Sequence, residues 1–222
     1  MRSEKIIQGK KCCIYQNDEA DAFLIQAVDE HDLELLDQEI EIIKRLTHTP
    51  FTLAAFLIED WNCELSPWKA PAVFGKEDFG SDAAKTLSFI TEVLLPELGA
   101  NGKSCYLGGY SLSGLFALWS AYQTDLFRGI AAVSPSVWFP GWKEFIESNA
   151  ILSPEVYLSL GSKEEKTRNK FMASVGDNIR RQYELLTDTY TIKRCELEWN
   201  PGNHFADPEF RTAKGFAWLL NN

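Results

Sequence analysis

Short apolar runs typical of buried strands alternate along the chain with amphipathic stretches of helical spacing. The predicted strands are 51–58, 104–108, 129–133, 156–160 and 193–199. The predicted helices are 31–46, 81–98 with Ser81 as its cap, 166–186 and 208–220. Near the start, 11–15 and 22–28 predict a hairpin around the polar turn 16–19. This alternation predicts an α/β fold: a mostly parallel sheet with helices on both faces.

The composition favours one domain over residues 1–222, with acidic character. Lys and Arg number 22 against 32 Asp and Glu, so the net charge is −10. No basic stripe interrupts that balance, which argues against nucleic acid or an anionic membrane as a partner. A small-molecule substrate is the expected partner, and a homo-oligomer is left open.

The N-terminal residues show no pattern of a signal peptide, and no apolar run approaches the roughly 20 residues that span a bilayer. The chain has five cysteines, an odd number, and none of them lie in the CxxC spacing of a zinc site. We therefore expect a cytoplasmic protein that uses neither a metal nor a cofactor.

Residues 109–114 read Gly-Tyr-Ser-Leu-Ser-Gly, directly after the predicted strand 104–108 and before a helix-like stretch. Such a string also occurs by chance in ordinary Gly/Ser turns. A strand before it and a helix after it favour a nucleophile elbow, a sharp turn that presents one serine. The small residues Gly109 and Ser113 suit the strained backbone of that turn. The sequence thus predicts Ser111 as a nucleophile.

A serine nucleophile needs a base, and the chain has three histidines. His31 opens a surface-like helix, and His48 lies in the polar connection before strand 51–58. His204 follows the last predicted strand in a loop before the closing helix, the place where α/β-hydrolases carry their base. His204 is therefore the predicted base rather than a solvent-exposed loop histidine.

The carboxylate that orients the base is expected after strand 156–160. Segment 161–166 there offers Glu164 and Glu165, one of which would be solvated at a helix start. Asp177 and Asp188 are weaker rivals, inside and beyond the following helix.

Two backbone amides should stabilise the oxyanion of the reaction. The first is that of Leu112, the residue after the nucleophile. The second is expected in the loop after 51–58, where we choose the amide of Trp61, with Asp60 as the runner-up.

These motifs together resemble the esterase family of α/β-hydrolases that includes esterase D and the enterochelin-type siderophore esterases. The resemblance covers most of the chain from position 51 and depends on four pieces: the elbow, Ser-Pro-Ser-Val-Trp at 134–138, Gly161 with Glu164 three residues later, and Gly-Asn-His at 202–204. It implies an α/β-hydrolase fold, Glu164 rather than Glu165 as the acid, and Trp138 near the active site.

Two departures limit what the resemblance implies. Ser113 stands where the elbow usually has glycine. From its length we expect no counterpart of the N-terminal domain of the larger enterochelin esterases. Segment 134–156 also leaves little room for a lid, and the loops show no cluster of basic residues. Siderophore hydrolysis is therefore not carried over.

The resulting functional hypothesis is a serine esterase without a cap that works through an acyl-enzyme. Its expected substrate is a small or medium ester with a short acyl group, since Trp61, Trp68 and Trp138 would wall only a shallow site. The ester is expected to be uncharged, because the net charge of −10 disfavours anionic substrates. A thioesterase or an acyltransferase would use the same residues. A non-catalytic binding protein with this fold is a further alternative, but a complete set of serine, acid and histidine favours an enzyme.

Overall fold

The computed structural model describes residues 2–221, and its strands form one eight-stranded sheet. In chain order they are β1 (Arg2–Ile7), β2 (Lys10–Tyr15), β3 (Ala22–Val28), β4 (Phe51–Leu57), β5 (Ser104–Tyr110), β6 (Phe127–Val133), β7 (Glu155–Gly161) and β8 (Arg194–Asn200). Across the sheet the order is β1-β2-β4-β3-β5-β6-β7-β8. Only the β1/β2 and β2/β4 pairs are antiparallel. The mostly parallel sheet predicted from the sequence is confirmed.

Helices cover both faces of this sheet. They are α1 (Glu30–Leu46), α2 (Trp61–Glu64), α3 (Ala83–Ser88), α4 (Leu95–Glu97), α5 (Leu112–Ser120), α6 (Trp142–Ser148), α7 (Lys170–Ala173), α8 (Val175–Thr187) and α9 (Pro208–Leu220). Successive residues of β3 enter different apolar cores: Leu24 packs with α1 and α9, and Ile25 with α5. Within residues 2–221, no helix combines the length and apolar character needed to cross a bilayer.

The predicted hairpin between β2 and β3 is wrong, because β4 lies between these two strands in the sheet. Strand β3 is buried along its whole length and pairs in parallel with β4 and β5, as a central strand does. The hairpin instead joins β1 to β2 through Gln8 and Gly9. Their φ angles of 45° and 85° suit a tight two-residue turn.

Two predicted helices are interrupted. The helix predicted at 81–98 begins at Ala83 without a side-chain cap from Ser81, and its middle, Phe89–Leu94, is π-helical. The helix predicted at 166–186 is a 3₁₀ turn (Glu164–Lys166) followed by α7 and α8. The Asn169 side chain accepts hydrogen bonds at the start of α7 and so begins a new helix there. The short helices α2 and α6 were not predicted, whereas α9 matches its predicted bounds.

Glu39 of α1 is a buried carboxyl that faces the sheet. It is 5% exposed, and it accepts a hydrogen bond from Gln26 Nε2 of β3 at 3.4 Å. Burial is the main cause that raises the pKa of Glu39 to about 8; the hydrogen bond lowers it, and the carboxylates of Asp32 and Glu209 raise it. The folded protein therefore holds a proton on Glu39 at neutral pH.

This proton predicts a pH dependence of stability. In the unfolded chain a glutamate releases its proton near pH 4.3, so Glu39 lowers the free energy of unfolding as the pH rises from about 5 to about 8, by on the order of 1 kcal/mol per pH unit. Glu39→Gln removes this effect, and we expect the variant to be more stable than the wild type at about pH 8.5. Urea unfolding across that pH range measures the difference, with Glu34→Gln, an exposed carboxyl of α1, as the control. Parallel profiles for wild type and Glu39→Gln would contradict it.

Candidate active site

Ser111 occupies the sharp turn between β5 and α5. Its φ of 58° and ψ of −121° are rarely adopted by residues with a side chain, so the surrounding structure must hold this strained backbone. Two glycines make the turn feasible. A Cβ at Gly109 would lie 2.1 Å from Ser113 Oγ, and one at Gly114 would lie 2.9 Å from the Gly109 carbonyl oxygen.

Ser113, which replaces the usual glycine of the elbow, has a structural partner. It is buried, and its Oγ donates a hydrogen bond to the Ala27 carbonyl oxygen at 2.8 Å. Ala27 belongs to β3, the strand beside β5. The hydroxyl therefore ties the first turn of α5 to the neighbouring strand, because a buried hydroxyl without a partner would be costly.

His204 lies in the loop between β8 and α9, with about 30% of its side chain exposed. Its Nε2 is 3.0 Å from Ser111 Oγ, and its Nδ1 is 2.8 Å from Glu164 Oε2. The Tyr110 hydroxyl donates to the His204 carbonyl oxygen at 2.7 Å and fixes the loop. With the proton on Nδ1, Nε2 can accept the proton of the serine. The other two histidines, His31 and His48, are exposed and lie outside this cluster.

Glu164 begins the 3₁₀ turn after β7 and is only 8% exposed. One of its oxygens, Oε1, accepts hydrogen bonds from Ser134 Oγ and the Gly161 amide, each at 2.7 Å. Burial raises the pKa of this carboxyl, but the hydrogen bond and charge of His204, together with the other donors, outweigh burial and hold it below its usual value. Its neighbour Glu165 instead pairs with Arg180 at 2.9 Å. The structure thus brings Glu164, and not Glu165, to His204.

Arg211 is a buried cation beside the site that the sequence analysis missed. It is 1% exposed, and its Nη1 lies 3.4 Å from Glu164 Oε1 and 3.1 Å from the Tyr110 hydroxyl. Its Nη2 donates to the Pro201 carbonyl oxygen at 2.7 Å. This guanidinium stabilises the negative charge of Glu164 and links α9 to the loop that carries His204. The available signal was a charged residue on the apolar face of the closing helix.

The two predicted oxyanion donors, the amides of Leu112 and Trp61, differ in how the fold positions them. Leu112 is the first residue of α5, so its amide has no acceptor inside the helix and adjoins Ser111. Trp61 follows β4, and β3 separates β4 from β5. The amide of Asp60, the runner-up, donates to Glu64 Oε1 at 3.1 Å. The Trp61 amide therefore stays a prediction. The strand beside the elbow strand β5 is β3, and the segment that directly follows β3 begins at Asp29.

A cavity of about 580 Å³ opens at Ser111 and His204. Its apolar lining consists of Phe74, Trp138, Met172, Val175 and Phe205. Trp138 and Phe74 pack edge to face with ring centroids 5.6 Å apart. Trp68, which the sequence analysis also assigned to the substrate, does not line this cavity. Its indole N–H donates to the Pro140 carbonyl oxygen at 2.8 Å, and its ring packs on Phe139.

The cavity also has two cationic residues in its lining, Lys163 and Lys166. No basic cluster was predicted here, because two glutamates separate Lys163 from Lys166 in the sequence, and only the 3₁₀ turn at Glu164–Lys166 brings the two lysines to one side. The uncharged substrate expected above was argued from the net charge of the whole chain. At the cavity, by contrast, Lys163 and Lys166 contribute positive charge, although the whole chain is acidic.

No family model matches this sequence, and no curated protein matches it. Solved structures do. The siderophore hydrolase EstA from Aspergillus nidulans is 18% identical, with a TM-score of 0.77 over 96% of this chain and 90% of that one. An IroE-like serine hydrolase from Shewanella oneidensis is 15% identical, with a TM-score of 0.81 over 99% of this chain and 80% of that one. The siderophore hydrolase EstB from Aspergillus nidulans is 17% identical, with a TM-score of 0.75 over 99% and 94%.

These similarities extend over nearly the whole chain, at identities that establish the fold alone. The chain has the α/β-hydrolase fold, as the sequence predicted. The resemblance to siderophore esterases read from its motifs is thereby confirmed at the level of the fold.

Proposed function

We propose that the protein is a serine esterase in which Ser111 is the nucleophile, His204 the base and Glu164 the orienting acid. The observation that supports this is the continuous chain of hydrogen bonds from Ser111 Oγ through His204 to Glu164, with distances of 3.0 and 2.8 Å. A serine hydroxyl is a weak nucleophile by itself, and an adjacent imidazole overcomes this by taking its proton during attack.

In the proposed reaction, Ser111 Oγ attacks the ester carbonyl carbon while its proton passes to His204 Nε2. The oxyanion of the tetrahedral intermediate accepts hydrogen bonds from the amide of Leu112 and from a second donor, for which Trp61 is our sequence-based choice. His204 then protonates the leaving alkoxide as its bond to carbon breaks, and an acyl-enzyme remains. A water molecule, deprotonated by His204, attacks this ester, and the acid departs as Ser111 recovers its proton.

Glu164 has two tasks in this scheme: it holds the His204 proton on Nδ1, and its charge stabilises the imidazolium. Glu164→Gln is expected to lower kcat roughly a thousand-fold or more, because the amide favours the wrong tautomer. Steady-state hydrolysis of 4-nitrophenyl acetate measures this. Glu165→Gln is the matched control, since Glu165 pairs with Arg180 on the far side of the turn. A larger loss in Glu165→Gln than in Glu164→Gln would show that the acid is misassigned.

The proposed substrate is a compact ester with a short acyl group. Between β6 and β7 the chain forms only the short helix α6, which leaves little room in that connection for a cap over the site. A methylene contributes about 0.8 kcal/mol only when the protein buries it. The named activities of the similar structures, two siderophore hydrolases and a serine hydrolase, support hydrolysis by this fold. They do not by themselves assign a siderophore to this chain.

A series of 4-nitrophenyl esters tests this proposal. We expect kcat/KM to be highest for the acetate or butyrate and to fall for the octanoate and palmitate, because an open cleft leaves most of a long chain in water. The assay requires matched ionic strength and concentrations below micelle formation. A steady rise through octanoate and palmitate would mean that the cavity continues into an acyl groove.

We also propose that the protein works in the cytoplasm. All five cysteines are free in the structure. Free thiols are the rule in reducing compartments, where disulfides do not persist.

A further inference from the structure

Two cationic side chains without carboxylate partners lie at the mouth of the active-site cavity. Lys163 and Lys166 are exposed and line the cavity together with Ser111 and His204. Over residues 2–221, neither ammonium has an ion-pair partner. Their charge is therefore available to a bound molecule.

The carboxylates next to these lysines are already engaged. Glu164 is buried and accepts hydrogen bonds from His204, Ser134 and the Gly161 amide. Glu165 pairs with Arg180 at 2.9 Å and does not line the cavity. The cavity mouth is thus locally positive in a chain whose net charge is −10.

The backbone holds the two lysines in a defined relation. They stand three residues apart at the ends of the 3₁₀ turn, and in a 3₁₀ helix the side chains of residues i and i+3 lie on the same side. The Lys163 amide donates to the Gly202 carbonyl oxygen at 2.9 Å, and the Lys166 amide to the Lys163 carbonyl oxygen at 3.1 Å. Since Gly202 belongs to the loop of His204, these hydrogen bonds fix the backbone of both lysines relative to that loop.

The rest of the cavity suits a flat apolar group. Trp138 is 7% exposed, whereas Phe74 and Phe205 are 51% and 86% exposed and offer open ring surfaces at the rim. Aromatic faces of this kind favour stacking or edge-to-face contact with a planar ring. Charge and shape together therefore define one substrate class.

We propose that the active site takes an ester that carries a carboxylate-type anion on an aromatic part, and that Lys163 and Lys166 bind this anion. The proposal depends on the esterase function proposed above. It replaces the uncharged substrate expected from the sequence, because the charge that a substrate meets at close range is that of the cavity mouth. Repulsion between the substrate anion and acidic groups more than about 8 Å away is largely screened at physiological salt.

The test compares 3-acetoxybenzoate with 3-acetoxybenzamide, which differ by one charge at nearly equal size. For the wild type at about 0.15 M salt, we expect kcat/KM to be about tenfold higher for the carboxylate than for the amide, mostly through a lower KM. An exposed ion pair strengthens binding by up to roughly fivefold, so two such pairs are sufficient for this ratio. The preference should shrink at about 1 M salt. In the double variant Lys163→Gln/Lys166→Gln, the ratio of the two kcat/KM values should fall close to one.

Arg168→Gln/Lys170→Gln is the matched control, since these basic residues belong to the same exposed segment but do not line the cavity. It should keep the tenfold ratio. A wild-type ratio near one, or a ratio that the double variant leaves unchanged, would overturn the proposal. Hydrolysis of 3-acetoxybenzamide by the wild type shows that the esterase function holds even if the charge preference is absent. If the proposed esterase function itself is wrong, neither ester is cleaved.

Discussion

Replacing Ser111 with alanine is expected to lower kcat for 4-nitrophenyl acetate about a million-fold, to the level left by binding and oxyanion stabilisation alone. The reason is that no acyl-enzyme can form without the hydroxyl that lies 3.0 Å from His204 Nε2. Circular dichroism and thermal unfolding of Ser111→Ala establish that the fold is intact.

Ser136 provides the sharpest control for this result. Its hydroxyl is 3.4 Å from Ser111 Oγ and is therefore a competing nucleophile within the site. We expect Ser136→Ala to lose less than about tenfold in kcat, because Ser136 has no imidazole to take its proton. A loss in Ser136→Ala comparable to that in Ser111→Ala would assign the nucleophile differently.

His204→Ala is expected to cost about as much as Ser111→Ala, again on the order of a million-fold in kcat. The two residues act as a unit, so the double variant should be scarcely less active than either single variant. Steady-state kinetics of all three proteins on the same ester measures this.

His31→Ala and His48→Ala are the controls for the base, since both histidines are exposed and lie away from the cavity. Each should retain nearly all the activity. A large loss from His48→Ala would place the base elsewhere, and an additive loss in the double Ser111/His204 variant would show that the two residues act independently.

The parts of the site that the sequence predicts are those set by local geometry. Ser111 stands in a motif whose glycines are required by the turn itself, as the short distances from Gly109 and Gly114 show. His204 follows from its place between the last strand and a helix that begins at Pro208. Both residues could therefore be predicted from the sequence, because the features that place them lie within a few residues of each in the chain.

The features that the sequence did not predict depend on contacts between distant segments. The β2/β3 hairpin was wrong because neighbours in the chain are not neighbours in this sheet. Trp61 follows β4 and the elbow follows β5, which are consecutive predicted strands after residue 50 in the chain. In the sheet, however, β3 lies between β4 and β5, so Trp61 follows a strand that is not next to the elbow strand. A charged residue on the apolar face of α9 marks Arg211 as unusual, but its partner Glu164 is set by the packing of distant segments and cannot be read from the helix alone.

The residues around the cavity show the same dependence on contacts between distant segments. Trp138 was placed by the Ser-Pro-Ser-Val-Trp motif, and it lines the cavity. Trp68 was predicted without a motif as a wall of the site, and it packs against Phe139 instead. Lys163 and Lys166 flank Glu164 in the sequence, but their shared side follows from the 3₁₀ turn, of which the predicted helix 166–186 included only Lys166.

The measurement that tests the central claim most directly is the covalent labelling of folded protein with a fluorophosphonate, followed by peptide mass spectrometry. The account predicts one phosphonate adduct on Ser111, none on Ser111→Ala, and labelling slowed by orders of magnitude in His204→Ala. An adduct on any other serine, or no adduct on folded wild-type protein, would contradict it.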